Sequence, residues 1–348
     1  MTVKENIVIR SAGREDEAAW DRFVQSHASA TFFHRYRWSR VIEESFGHAP
    51  HYLIAAREGR IAGILPLVHK TSALFGNALI STPFLSYGGI VAEDEDAARA
   101  LENRAVELAE ALRVDYLELR NIAPDRAGWT RNDSTYAGFS RDIPPGRDAI
   151  IRSVPGKGRR HALRKCLTRG LSFEIHDDVT AFYRVLSESY RNLGTPIFPK
   201  RYFERIIEAF PAEFEICVVR GPNGPLAAAL AFTFRDHVHP YYAGGTAEAR
   251  DLRANDFLFL SLMCRTQERG YPRFDFGRSK FGTGSFAYKT HWGFQPQPLN
   301  YEYRLVRGAK LPNLSPLNPR LRPFVGLWKR LPLSLSQFLG PHIVRHLG

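Results

Sequence analysis

Between Asp275 and Lys289 the chain reads DFGRSKFGTGSFAYK, a run suited to holding an anion or a developing negative charge. Gly277 introduces Arg278, Ser279 and Lys280, and Gly282 and Gly284 punctuate the stretch leading to Lys289. Glycines let backbone N–H groups converge with cationic side chains on one ligand. The spacing is neither the GxxxxGK with Ser or Thr of a phosphate-binding loop nor the dinucleotide fingerprint, so nucleotide hydrolysis and hydride transfer are poor readings. Lys289 sits among aromatic residues, which suits a placed cation or a snorkelling surface side chain. Asp275, at a strand end, can orient Arg278, accept a proton, or only pin the loop. Arg253 and Asn255 fall where a helix should begin, and helix-start N–H groups favour a negative ligand.

Further candidates lie outside this run. The segment 147–169 carries eight basic residues against Asp148 alone. A helix from 159 to 168 would present Arg160 and Arg164 at i,i+4 with Arg159 beside them, for anion contact or as a solvated face. Tyr242 and His291 can serve as bases or donors, or be satisfied structural groups. No nucleophile stands out, since Cys264 lies on an apolar helical face and no Ser-His-Asp order is convincing. His237, His239 and His291 are too irregularly spaced for a metal site, and Cys166, Cys217 and Cys264 give no zinc motif.

These residues need elements to position them. Residues 241–294 read as strand, Gly244-Gly245 turn, a helix over 253–269 with Phe257, Leu260 and Cys264 on one face, a short strand over 273–276, then a glycine-rich basic loop. Earlier, residues 51–57 and 60–69 read as a hairpin around Glu58-Gly59. A helix over 95–113 with Leu101, Ala105, Leu108 and Leu112 on one face precedes a strand over 115–120. The order repeats. HYLIAAREGRIAGILPLVHK is answered by FEICVVRGPNGPLAAALAFTF, SYGGIV by YYAGGT, and YLELR by RFDFG, at offsets of about 160 residues. Two α/β domains of mixed sheet with packed helices satisfy the pattern. After YLELR the first copy continues Asn121-Ile122-Ala123-Pro124 and lacks the basic glycine run, so the first domain is expected to be the degenerate one.

A length of 348 residues suits two domains, and 24 phenylalanines can furnish their cores. The expected division is 1–143, 147–308 with the donor site, and a basic apolar tail over 309–348. No signal-peptide pattern and no 18-residue apolar run occurs, so a cytoplasmic protein without a spanning helix is expected. The net charge of +12 is uneven: residues 303–348 hold eight Lys or Arg and no acid. Such patches attract anions. In the tail, Pro323, Pro332 and Pro341 preclude one long helix. Short segments with Phe324, Leu327, Trp328, Leu331 and Phe338 beside Arg and Lys suit an anionic membrane surface, the protein's own domains, or a partner. Gly194 to Pro199 forms a proline-bearing loop, as a lid or a plain helix connection.

The motifs Tyr241-Tyr242-Ala243-Gly244-Gly245, Phe274 to Lys280, Gly282-Thr283-Gly284 and Phe286 to Lys289 with Trp292-Gly293-Phe294 resemble the FemAB-like branch of the GNAT-type acyltransferases. The likeness is to members encoded with bacterial exopolysaccharide and protein-sorting systems. It implies tandem GNAT-like domains and acyl or aminoacyl transfer to an amine. It also implies that Lys289 stands near the reacting carbonyl or the donor phosphate, and that the segment before Gly170 approaches an anionic substrate. The co-substrate implied is an acyl-CoA or acyl-carrier thioester, with no permanently bound cofactor. The acceptor would be a small-molecule or lipid-linked amino sugar of envelope or exopolysaccharide assembly, with no role for DNA. Peptidoglycan-building members that use aminoacyl-tRNA often carry a long coiled-coil arm in the second domain. Only residues 179–213 occupy that place here, which favours a thioester donor. A non-catalytic scaffold in a polysaccharide-synthesis complex is the rival from another class.

Overall fold

The structure is a computed structural model that describes residues 6–72, 76–121, 128–308 and 322–347. It divides into two units, and each takes sequence from more than one place. The first is Met1–Ser134 with Leu299–Asn313 and Arg345–Gly348; the second is Thr135–Pro298 with Leu314–Val344. The division therefore departs from the one read at 143–147. Strands Tyr136–Gly138 and Ser140–Asp142 join the second unit, and strand Asn300–Leu305 joins the first.

In the first unit the Glu58-Gly59 turn places both residues at positive φ, 49° and 77°. Primed turns of this kind match the twist of a hairpin. The hairpin Leu53–Arg57 and Arg60–Leu65 pairs with Ile7–Ser11 on one side and Val91–Ala92 on the other. The strand expected over 60–69 is broken at Pro66, because proline cannot donate to the ladder. Its second half, Leu67–Ser72, enters a six-stranded sheet with Gly76–Ser81, Tyr116–Asn121 and Asn300–Leu305. Helix Glu95–Ala111, capped by Asp94 accepting from Ala97 N, buries Ala97, Leu101, Ala105 and Ala109. Leu108 and Leu112 flank that face instead of centring it. Residues 122–127 and 309–321 lie outside the described residues, so the Ile122-Ala123-Pro124 continuation and the start of the tail do too.

The second unit is built on a six-stranded sheet in the order Ser140–Asp142, Arg273–Asp275, His237–Gly245, Gly224–Phe234, Phe214–Gly221 and Ser172–His176. Strand Arg273–Asp275 runs parallel to His237–Gly245, with helix Ala254–Glu268 as the crossover. That helix buries Leu258, Phe259, Leu260, Leu262, Met263 and Cys264, so it is apolar nearly all round; Phe257, read as part of its core face, is only half-buried. A helix of that kind belongs in a core. The first unit repeats the motif with Gly76–Ser81, helix Glu95–Ala111 and Tyr116–Asn121, also a parallel pair. The duplicated α/β pattern read from the chain is thus present as two mixed-sheet units.

Residues 179–213 fold as two helices, Thr180–Leu193 and Lys200–Ala209, with no long arm. The joining loop is held rather than free: Ile197 is buried and the Tyr183 hydroxyl donates to Phe198 O at 3.2 Å. The tail forms helices Arg322–Trp328 and Leu333–Val344. No single long helix forms, as the prolines require; Pro341 lies inside the second helix, where only the last turn follows it.

Candidate active site

Strand Arg273–Asp275 delivers its last residue against buried His239. The Asp275 carboxylate accepts from Gly277 N at 2.7 Å and lies 3.5 Å from His239 Nδ1. Burial pushes the His239 imidazole down to about 4 despite that neighbouring charge, so the ring is neutral near pH 7. Asp275 is therefore committed to shaping the turn, and the proton-accepting role gives way to the pinning role. Gly277 makes the turn possible. Its φ is +68°, and a Cβ there would stand 2.5 Å from His239 Nε2. Gly277→Ala should cost about 1–3 kcal/mol of stability, read as a lowered urea midpoint.

The following residues are not one loop. Ser279–Lys280 forms a short strand on Tyr136–Gly138, with Tyr136 opposite Lys280 and Ala137 opposite buried Ser279. The Arg278 guanidinium lies 4.7 Å and the Lys280 ammonium 5.4 Å from the Tyr136 ring centroid. Two cations thus share one aromatic ring, each half-buried. Gly282, at φ +73°, makes the turn, and Thr283 caps helix Gly284–His291 by accepting from Phe286 N. Gly282 is thus the turn and Gly284 the helix start, and Lys289 stands on a helix.

Lys289 Nζ donates to Gly277 O at 3.1 Å and to Arg278 O at 2.9 Å. The rings of Phe139 and Phe276 lie 5.4 and 5.9 Å away. Burial lowers the Lys289 pKa to about 7; the Asp275 charge opposes the shift and Arg278 adds to it. A protonated ammonium has three N–H bonds and a neutral amine two. The two carbonyls use two, so one donor is uncommitted only in the charged form.

The neighbouring residue anchors the helix. Tyr288 donates to Asp256 at 2.9 Å, and Arg159 donates to the same carboxylate at 3.0 and 2.6 Å. The Arg159 guanidinium also lies 5.1 Å from the Tyr288 ring and 5.2 Å from that of Trp292. Arg159 is therefore spent on a buried ion pair, which corrects its reading as an anion contact. Arg160 donates to Val154 O at 3.0 Å and is half-buried, whereas Arg164 is exposed, so the two do not share one free face. Arg253 caps the central helix in the left-handed region, φ 57°, with its guanidinium 3.7 Å from Asp256 and its side chain 40% exposed. Asn255 packs on Gly245, where a Cβ would meet its amide at 2.8 Å.

Tyr242 is a different case. Its hydroxyl is 2.9 Å from that of Tyr202, in an aromatic cluster with Phe198 and Phe203. Burial raises its pKa well above the ordinary value, so it remains a neutral phenol and is no base. His291 is exposed at the end of the lysine helix. The three thiols are buried, and burial pushes Cys166 up to about 12 and Cys217 and Cys264 upward as well. Sequence reading missed Tyr136 and Asp256 and weighed His239 only as a metal ligand. The only signal for Asp256 is an acid in the first turn of a helix whose other buried positions are mostly apolar.

Most of these candidates fall in one family match. Residues 157–290 match the model of the acetyltransferase (GNAT) domain. Among solved structures, FemX superposes with a TM-score of 0.64 at 15% identity, covering 86% of this chain and 98% of that one. The tandem GNAT protein from the clavulanic acid biosynthesis pathway gives 0.55 at 12%, covering 88% and 100%. The C-terminal domain of a putative lysylphosphatidylglycerol synthetase from Agrobacterium fabrum gives 0.55 at 16%, covering 85% and 93%. At such identities the likeness is one of fold. No curated protein sequence matches the chain. Residues 157–290 thus carry the sequence pattern of a GNAT acetyltransferase domain, and the fold of the chain is that of tandem GNAT proteins. Its fold is FemAB-like.

Proposed function

We propose that this protein is an N-acyltransferase that moves an acyl group from a thioester, acyl-CoA or an acyl carrier, to an amine of an envelope or exopolysaccharide precursor. The reaction would take place in the cytoplasm, at the inner face of the membrane. The acceptor nitrogen attacks the thioester carbonyl carbon, the N–C bond forms as the C–S bond breaks, and the thiolate leaves with the proton shed by the nitrogen. The observation that carries this reading is Lys289, whose uncommitted N–H is available to the carbonyl oxygen as it becomes anionic. Arg278 and Lys280, with Arg253 and the amides at the start of the central helix, supply positive charge for the donor's phosphates. Arg164 is kept as an outlying anion contact. Direct attack is supported by the buried, protonated thiols, and a thioester donor by the short helical segment over 179–213.

The test is transfer of a radiolabelled acetyl group from acetyl-CoA to amino-sugar acceptors, with aminoacyl-tRNA as the rival donor. Arg278→Ala with Lys280→Ala should raise the donor KM by about tenfold at low salt and by less at high salt. A labelled acyl-enzyme on rapid quench, or transfer from aminoacyl-tRNA alone, would overturn the reading. Failure of every donor to bind would leave the scaffold in its place.

A further inference from the structure

The tail helix Leu333–Val344 turns small side chains inward and leaves bulky apolar ones outside. It buries Ser336, Gly340 and Val344 at four-residue spacing, while Leu335 is 40% and Phe338 68% exposed. Gly340 seats this face tightly, since a Cβ there would stand 2.8 Å from Ile197 O and 2.9 Å from Ile197 N. The preceding helix Arg322–Trp328 does the same. Val325 faces Gly194, where a Cβ would lie 2.5 Å from its methyl, while Phe324 is 70% and Leu327 64% exposed. Leu193, next to Gly194, is 64% exposed. Five of the eight large apolar side chains left exposed among the described residues therefore belong to this one part of the second unit. Concentrated apolar surface of this kind marks an interaction site.

Charge selects the occupant. Lys329 and Arg330, both exposed, directly follow the first of the two helices. A second copy docking on this patch would bring these like charges together. A bilayer with anionic headgroups meets both features at once: bulky apolar tips enter the acyl boundary while the cations stay at the headgroups. We infer that the tail helices are an anionic-lipid docking face, carrying Phe324, Leu327, Leu335, Phe338 and Leu193 as the inserting side chains. This rests on the membrane-face part of the proposed function and assigns it to a defined surface.

The test is flotation of the full chain with vesicles of phosphatidylcholine alone or of equal parts phosphatidylcholine and phosphatidylglycerol. The wild type should float with the anionic vesicles at low salt and little with the neutral ones. The triple variant Phe324→Ser, Leu327→Ser, Phe338→Ser and the pair Lys329→Glu, Arg330→Glu should each bind at least about tenfold more weakly. Both should keep the wild-type melting transition and acyl transfer to a soluble amine, because none of these residues lies at the candidate active site. Loss of vesicle binding with soluble transfer intact supports the docking face whichever acceptor is right. No flotation of the wild type, undiminished flotation of the triple variant, or a wild-type dimer that the triple variant converts to monomer would each overturn it.

Discussion

Lys289→Ala lowers kcat by about a hundredfold to a thousandfold and changes donor binding little. The expectation follows from where the ammonium sits. It is held by two backbone carbonyls between Phe139 and Phe276, so its position is set before substrate arrives. A donor placed in advance stabilises an oxyanion without reorganising during the reaction, and it contributes little to ground-state binding. Alanine removes that donor and leaves the carbonyls of Gly277 and Arg278 without it. Part of the loss is therefore loosening of the turn. Lys289→Arg separates the two effects by keeping a charge and hydrogen-bond donors; it should recover part of kcat. A donor KM that rises as much as kcat falls would show that Lys289 binds the donor instead.

Asp256→Ala destabilises the second unit by about 3–5 kcal/mol, because it leaves the half-buried Arg159 guanidinium without its counter-charge. The carboxylate is 7% exposed, and its removal also deprives the Tyr288 hydroxyl of its acceptor. Replacing both charges together, Asp256→Leu with Arg159→Met, should recover much of that stability in urea unfolding. Tyr288→Phe isolates the positioning role. It removes one hydroxyl from the helix that carries Lys289 and should lower kcat by about tenfold with little change in stability. Unchanged kcat in Tyr288→Phe would show that the Asp256 network serves folding alone.

What was legible in the sequence and what was not follows from the separation of the partners. The Glu58-Gly59 hairpin and the central helix could be read because turn chemistry and apolar periodicity are local. The duplicated pattern was equally readable, since it repeats whole elements. Arg159 and Asp256 are 97 residues apart, and nothing local says that a basic helix will spend one of its arginines on an acid in another helix. The pairing of Tyr136 with Lys280 likewise depends on a strand register between distant segments. The place of strand Asn300–Leu305 beside Tyr116–Asn121 also depends on a partner that periodicity cannot name. Tyr242 misled because an aromatic residue before two glycines looks the same whether it faces solvent or another tyrosine, and the expected Gly244-Gly245 turn is instead the end of strand His237–Gly245.

The central claim is that charged Lys289 stabilises the oxyanion, and the pH dependence of kcat/KM tests it most directly. The lysine's pKa falls from 10.5 in the open chain to about 7 here, so the cation is present below pH 7 and lost as pH rises through it. With acetyl-CoA and a weakly basic acceptor amine that is already neutral at about pH 6, kcat/KM for the wild type should fall as pH rises above about 7. In Lys289→Arg the fall should disappear. A wild-type profile that is flat, or that rises with pH as a neutral amine acting as a base requires, would contradict the account.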